Sequence, residues 1–273
     1  WLASYPKSGN TWVRLFLDYL LSPSNKFNIN NVQVKQFPLR EHFRDLTQKV
    51  DDINEFAKNC NSAQQKLNLD NQIKILKTHN ALWTWGGNKY SFTNEENTLG
   101  VIHIVRDPRN VITSILHYFH KENYNSALKF IKNDKVIGGD KDENGLPTII
   151  ASWPNHYKSW KKFKKNNLLI RYEDLLIDPK NEFFKITNFL SLIGNFKFDH
   201  DKICDGIKHC DFKNLYKQEE LYGYKGNSKE NKLLNKRFFN LGPKNDWKNL
   251  INDQIKEGIE SDFKKEMMEL GYL

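Results

Sequence analysis

Lys7, Lys77 and His79 stand in settings suited to anion and proton chemistry. Lys7 belongs to Tyr5-Pro6-Lys7-Ser8-Gly9-Asn10-Thr11-Trp12, followed by helical apolar spacing through Trp12, Leu15, Phe16, Tyr19 and Leu20. A helix N-terminus binds anions because its first amides lack partners and the dipole is positive there, and Lys7 adds a point charge. The order is not G-x-x-x-x-G-K-[ST], because the lysine precedes the glycine. A structural turn with a surface lysine is the alternative for this segment alone. Lys77-Thr78-His79 follows an apolar stretch, and imidazole titrates near pH 6.5, so His79 is largely free to accept a proton near neutrality. A lone histidine is more often structural, as His103 is expected to be inside its apolar strand.

A further segment, Val105-Arg106-Asp107-Pro108-Arg109-Asn110-Val111, is followed by Ser114, eight residues after Arg106. That step puts Arg106 ahead of a helix and Ser114 about two turns inside it, so both can face one ligand at the helix start. The alternative has Arg106 pairing with Asp107 and Ser114 merely occupying a helix face.

The positioning elements follow from apolar runs and turn residues. Strands are expected at Trp1–Tyr5, Ile73–Leu76, Val101–Val105 and Leu168–Tyr172. Helices are expected from Thr11, after Asp107-Pro108 and over Glu182–Leu192. Strands alternating with helices indicate an α/β fold with a parallel sheet, whose ligands bind where strands end. Lys7, His79, Arg106 and Tyr172 all fall at or just beyond strand ends. Val136–Pro147 and Leu221–Asn235 read as mobile loops, and no linker divides residues 1–273.

The net charge of +9 favours anionic ligands. The basic residues form neither an arm nor a recognition helix, so a small polyanion is expected and nucleic acid is not. The densest cluster, Lys158, Lys161, Lys162, Lys164 and Lys165 around Trp160 and Phe163, reads as an amphipathic helix with a cationic face. Aromatics at 13% argue for a packed core despite a mean hydropathy of -0.72. Cys60, Cys204 and Cys210 are too sparse for a disulfide framework and point to a reducing, cytoplasmic setting. No stretch approaches the roughly 20 apolar residues of a membrane span. The chain opens on Trp1 without Met, so a few preceding residues are expected.

The order Pro-Lys-Ser-Gly-x-Thr-Trp at Pro6–Trp12 resembles the 5'-phosphosulfate loop of cytosolic-type sulfotransferases. Arg106 and Ser114 resemble that family's 3'-phosphate segment, Lys77-Thr78-His79 its base-bearing segment, and Tyr172-Glu173-Asp174 its Tyr-Glu-Asp. Phe238–Asn249 resembles the Arg-Lys-Gly-x-x-Gly-Asp-Trp-Lys-Asn loop that closes over the nucleotide, matching at Gly242, Asp246, Trp247, Lys248 and Asn249. Asn240 and Leu241 stand where Arg-Lys is usual, so Arg237 or Lys244 is expected to supply the charge.

The resemblance implies a P-loop-like single domain with a central parallel sheet flanked by helices. It implies transfer of a sulfuryl group from 3'-phosphoadenosine 5'-phosphosulfate (PAPS), with the bisphosphate PAP as product, to a hydroxyl or amine of a small-molecule or saccharide acceptor. His79 is then the base, Lys7 faces the leaving bridging oxygen and Lys77 the sulfonate oxygens, without a metal. Ser8, Gly9, Asn10 and Thr11 join Lys7 around the phosphosulfate, and Trp12 and Tyr172 lie at the adenine. Arg106, Ser114, Arg237, Asn240, Leu241 and Gly242 hold the 3'-phosphate end. Asn80-Ala81 replaces the usual Leu-Pro, and Trp83, Trp85, Phe37 and Tyr118 are candidates for an acceptor pocket. Lys248 and Glu257 keep the spacing of a dimerisation motif, but Asn252 and Asp253 replace its central Thr-Val, so no dimer is inferred and the oligomeric state is open. The alternatives are a nucleotide-dependent phosphotransferase and a catalytically decayed PAPS-binding protein.

Overall fold

The computed structural model describes residues 1–23, 27–134, 136–137 and 146–273. The strands in chain order are β1 (Leu2–Ser4), β2 (Lys35–Gln36), β3 (Leu76–Thr78), β4 (Thr84–Trp85), β5 (Tyr90–Ser91), β6 (Val101–Val105), β7 (Val136–Ile137), β8 (Thr148–Ile149) and β9 (Asn167–Arg171). The α-helices are α1 (Asn10–Leu21), α2 (Ile53–Asn68), α3 (Pro108–Tyr118), α4 (Tyr124–Lys132), α5 (Trp153–Lys161), α6 (Tyr172–Ile177), α7 (Pro179–Gly194), α8 (His200–His209), α9 (Phe212–Tyr222), α10 (Lys229–Leu233), α11 (Asp253–Asp262) and α12 (Lys264–Glu269).

Five strands form one parallel sheet in the order β2-β3-β1-β6-β9. The central strands β1 and β6 are buried at every residue, as a sheet covered on both faces requires. Leu2 pairs with both Lys77 and Ile102, and Val101 pairs with Asn167, so four strand ends reach the same edge. Phe16 of α1 and Phe183 of α7 pack with ring centroids 4.1 Å apart. Val111, Ile112 and Ile115 of α3 join Ile255, Ile259 and Met267 in a second cluster. Each such fully buried side chain contributes about 1.5–3 kcal/mol.

The α/β architecture agrees with the sequence expectation, but several boundaries move. The strand expected at Ile73–Leu76 begins at Leu76 and runs to Thr78, because Lys77 and Thr78 are the residues that pair with β1. The strand expected to end at Tyr172 stops at Arg171, and Tyr172 opens α6. The helix expected at Glu182–Leu192 starts earlier, where Pro179 occupies the first turn and the Asp178 side chain accepts from Asn181 N. The lysine cluster is helical only through Lys161, with Lys162 as its C-cap, since the chain then turns to enter β9. Leu221–Asn235 is not simply a loop, because Ser228 caps α10 within it. Of Val136–Pro147, residues 138–145 lie outside the described residues, and β7 pairs with β8 antiparallel. The short β2, two exposed polar residues, carries no apolar pattern that could have announced it. No described helix is long and apolar enough to cross a membrane, and the three cysteines are free thiols.

Candidate active site

The turn between β1 and α1 is built on two residues with left-handed backbone. Lys7 has φ 68° and Gly9 φ 100°. The first conformation is uncommon for a side-chain-bearing residue and costs about 1–2 kcal/mol, a strain typical of functional turns. Gly9 is required twice over, because a Cβ there would also lie 2.4 Å from Tyr172 Cδ2. Ser8 N donates to Tyr5 O at 3.3 Å and Trp12 N to Gly9 O at 3.0 Å, closing the turn onto the helix.

Asn10 is buried, and its Nδ2 donates to Leu2 O at 3.2 Å and Ser4 Oγ at 3.1 Å. Its amide nitrogen is therefore engaged with β1. The Ser8 Oγ, Asn10 Oδ1, Trp12 Nε1 and Arg106 Nε atoms are buried without a partner in the protein. The Trp12 and Arg106 nitrogens among them are donors and suit an oxygen-rich ligand, whereas Asn10 Oδ1 can only accept.

His79, just past β3, meets the same strand. Its Nδ1 lies 2.9 Å from Ser4 O, and a carbonyl can only accept, so the proton sits on Nδ1 and Nε2 keeps its lone pair. Loss of solvation holds its pKa well below 6.5, with the positive charge of Lys77, His156 and Lys7 acting the same way against the opposing pull of Ser4 O. The ring is a neutral base at neutral pH.

The ammonium of Lys7 rests 4.0 Å from the Tyr118 ring centroid and 4.2 Å from that of Phe238. Desolvation first, then Arg106, brings its pKa down to about 7. Lys77 Nζ donates to Gln36 Oε1 at 3.3 Å, and desolvation with nearby Arg14 brings its pKa to about 7 as well. Both ammonium groups are poised to gain their full charge when an anion enters.

Arg106 is fixed by its Nη1, which donates to Lys7 O at 2.9 Å and Ser114 Oγ at 3.3 Å, while the guanidinium lies 4.1 Å from the Tyr172 centroid. The alternative pairing of Arg106 with Asp107 does not occur: Asp107 is taken by Arg109, whose Nη2 also donates to Tyr272 O at 2.8 Å. Glu173 accepts from Asp107 N at 3.0 Å and from the Tyr272 hydroxyl at 2.9 Å, so it braces the site from behind.

These groups line one cavity of about 1020 Å³. Lys7, Gly9, Asn10, Thr11, Trp12, Lys77, His79, Arg106, Ser114, Tyr172, Asn240, Leu241 and Gly242 all lie on its wall, whereas Ser8 is buried beneath the turn. Arg237 and Lys244 are not on the wall. Arg237 Nη2 pairs with Glu220 Oε1 at 3.0 Å and its guanidinium lies 4.2 Å from the Tyr216 centroid, so the charge expected from it is spent at the surface. The wall carries Lys225, Lys229 and Lys232 instead. Of the four aromatic pocket candidates, Phe37 and Tyr118 line the cavity and Trp83 and Trp85 do not.

Three participants escaped the sequence. Asn245 joins the C-terminal loop to α3, donating through Nδ2 to Ser114 Oγ at 3.0 Å and Asn110 O at 3.1 Å. Phe238 contributes half of the aromatic clip on Lys7, and Phe212 lies where a Cβ on Gly242 would come within 2.3 Å of its ring. Phe238 and Asn245 lie within the C-terminal segment that the sequence singled out but at none of its matched positions, Phe212 lies outside it, and each acts through a long-range contact. Among the described residues no cluster of three or more His, Cys, Asp or Glu is placed to hold a metal.

The sulfotransferase domain family matches residues 1–271. Sulfotransferase 1B1 of Canis lupus familiaris is 27% identical over 278 residues, covering 97% of this chain and 82% of the relative. Flavonol 4'-sulfotransferase of Flaveria chlorifolia is 26% identical, covering 95% and 76%. The mouse sulfotransferase SULT7A1 complexed with PAP superposes with a TM-score of 0.60 at 20% identity, covering 97% of this chain and 82% of that one. Retinol dehydratase in complex with androsterone and inactive cofactor PAP gives 0.57 at 18% identity, covering 97% and 79%.

Proposed function

The chain belongs to the sulfotransferase family, and from that premise we propose that it transfers a sulfuryl group from PAPS to a hydroxyl of a small acceptor, with His79 as general base. The observation that carries the proposal is the placement of His79 Nε2, left as a proton acceptor by the bond from Nδ1 to Ser4 O, on the same cavity wall as Lys7, Lys77 and Arg106.

The residues fit the nucleotide. Lys7, Gly9 and Thr11 with the first amides of α1 would hold its 5'-phosphosulfate, and Arg106 with Ser114 its 3'-phosphate. Trp12 and Tyr172, whose centroids are 6.0 Å apart on the wall, would meet the adenine. When bound, PAPS supplies a sulfuryl group joined to a phosphate leaving group. The protein then does three things. His79 Nε2 takes the proton of the attacking hydroxyl. Lys7 and Lys77 offer positive charge where negative charge grows, in a desolvated space that strengthens the attraction. The turn and Arg106 hold the reacting groups in line, as positioning dominates the analogous phosphoryl transfers. With their pKa values lowered to about 7, Lys7 and Lys77 carry only part of their charge at neutral pH, and beside a neutral imidazole they are mutually tolerable before the anion arrives.

A small hydroxylated acceptor is supported by relatives named for flavonols and by Phe37 and Tyr118 on the wall. A site in the cytoplasm is supported by the free thiols.

The test is a screen of phenols, sterols, sugars and amines with radiolabelled PAPS, comparing the unaltered protein with His79→Ala. Transfer to at least one class, reduced by orders of magnitude in the variant, supports the assignment. Near-normal turnover in His79→Ala removes the histidine from the base role. ATP-Mg competing as well as PAPS favours a phosphotransferase.

A further inference from the structure

Asn80 follows His79, is 1% exposed, and still contributes to the cavity wall. Its side-chain Oδ1 accepts from Ile149 N at 2.9 Å and from the Trp83 indole Nε1 at 3.2 Å. Its backbone carbonyl accepts from the Trp160 indole at 2.9 Å, and Ala81 N donates to Ile149 O at 2.8 Å. Asn80 N donates to Thr78 Oγ1 at 3.0 Å, which fixes the residue to the end of β3. One residue thus fastens β8 and α5 to the turn that carries His79.

Ile149 of β8 also packs in a buried cluster with Trp83 and Trp160, but among the described residues the strand has sparse backbone pairing. It is outside the five-stranded sheet, and its ladder with β7 is two residue pairs long. Yet Thr148, the neighbour of Ile149 in β8, is on the cavity wall beside His79 and Asn80. The Asn80 amide is therefore the side-chain tie between that wall and the base, beside the backbone bond from Ala81 N to Ile149 O. A neutral amide oxygen satisfies two buried donors at once, whereas a hydrocarbon of the same size would leave the Ile149 N–H and the Trp83 indole unpaired. None of these bonds reaches Arg106, Ser114 or the turn at Lys7 and Gly9.

From this arrangement we infer that Asn80 is a positioning and specificity-determining residue for transfer, registering the acceptor-facing strand β8 against His79. The inference rests on the sulfotransferase reading above. Loss of the amide lets β8 shift, so acceptors lose their fit before the nucleotide does.

Asn80→Leu removes the amide at similar volume, and Trp83→Phe removes one donor and keeps an aromatic ring off the cavity wall. For each, PAP affinity is measured by calorimetry, and KM and kcat are measured for acceptors of graded bulk. Asn80→Leu is expected to raise the KM of the best acceptor about tenfold and to reorder acceptor preference, with PAP affinity unchanged. Trp83→Phe moves the same quantities in the same direction by less, and decides the matter alone if Asn80→Leu does not fold. Unchanged acceptor KM and ranking overturn the inference. So does a loss of PAP affinity in step with acceptor KM, since that marks a general structural role. Unaltered protein that binds PAP and transfers to no acceptor overturns the underlying reading, a result visible before either variant is made.

Discussion

Arg106 donates through Nη1 to the backbone carbonyl of Lys7 at 2.9 Å, across 99 residues of sequence. The start of α3 and the turn before α1 are therefore one unit. The cation proposed for one end of the nucleotide also holds the strained backbone that presents Lys7.

Replacing Arg106 should consequently damage more than binding. Charge-assisted hydrogen bonds contribute about 1.5–3 kcal/mol each, so Arg106→Ala is expected to weaken PAP binding about 10–100-fold in calorimetry. The larger part of the effect falls on affinity. Turnover at saturating PAPS should fall too, because Lys7 with φ 68° loses its restraint. Arg106→Lys should restore little, since a single ammonium cannot reproduce the fork that spans Lys7 O and Ser114 Oγ. Undiminished kcat in Arg106→Ala would show that the turn holds itself.

The two lysines predict a proton signature. Lys7 and Lys77 have pKa values brought down to about 7 by desolvation and neighbouring cations. Above that pH both are largely neutral in the free protein, and a bound polyanion restores the charged form. PAP binding at about pH 8 should therefore take up protons. The uptake is read from the dependence of binding enthalpy on buffer ionisation enthalpy, and it should shrink in Lys7→Ala, whose turnover is expected to fall by orders of magnitude. The stability consequence has a definite sign. The unfolded chain binds more protons than the folded one between about pH 7 and 10, so these groups make stability rise with pH over that window. Proton release on PAP binding contradicts the assignment.

For His79 the sign is that of a histidine kept neutral. Burial holds the pKa of His79 and His156 well below 6.5 and brings that of His103 to about 3. Below about pH 6.5 the unfolded chain gains protons that the folded chain refuses, so stability contributed by these rings is lost as pH falls. In NMR titrations the His79 ring of the free protein should stay neutral well below 6.5, and PAP should move its titration upward by supplying negative charge. A free-protein titration at the ordinary value would mean that the ring is solvated.

The legible part of this protein lay in contiguous signals. Pro6–Trp12 and Val105–Ser114 each combine strand end, turn and helix within a dozen residues, and the parallel sheet brings both to one edge. What lay beyond reading were contacts between distant segments. Asn245 is an ordinary polar residue until its amide reaches Ser114, 131 residues away, and Phe238 is an ordinary aromatic until Lys7 rests on it. Arg237 shows the converse, a charge at the right distance along the chain that Glu220 and Tyr216 claim first. Strand β3 was displaced because the apolar run at Ile73–Leu76 marks the approach to the sheet, while pairing with β1 selects Lys77 and Thr78.

Gly9→Ala tests whether the turn geometry itself sets function. The backbone at φ 100° disfavours any side chain, by about 1–2 kcal/mol for the left-handed region, and the new methyl would meet Tyr172 Cδ2 at 2.4 Å. Tyr172 must move, and Arg106 stacks on its ring at 4.1 Å. The disturbance therefore passes from the turn to Tyr172 and Arg106, the residues proposed for the adenine and the 3'-phosphate, without touching His79. A drop in Tm of several degrees is expected from such a cost, together with weaker PAP binding. Pairing the change with Tyr172→Ala separates the two causes: removing the ring relieves the clash and leaves only the backbone cost. If the double variant is destabilised by the full sum of the single effects, the two residues do not collide and the close packing of Tyr172 on Gly9 is not what shapes the site.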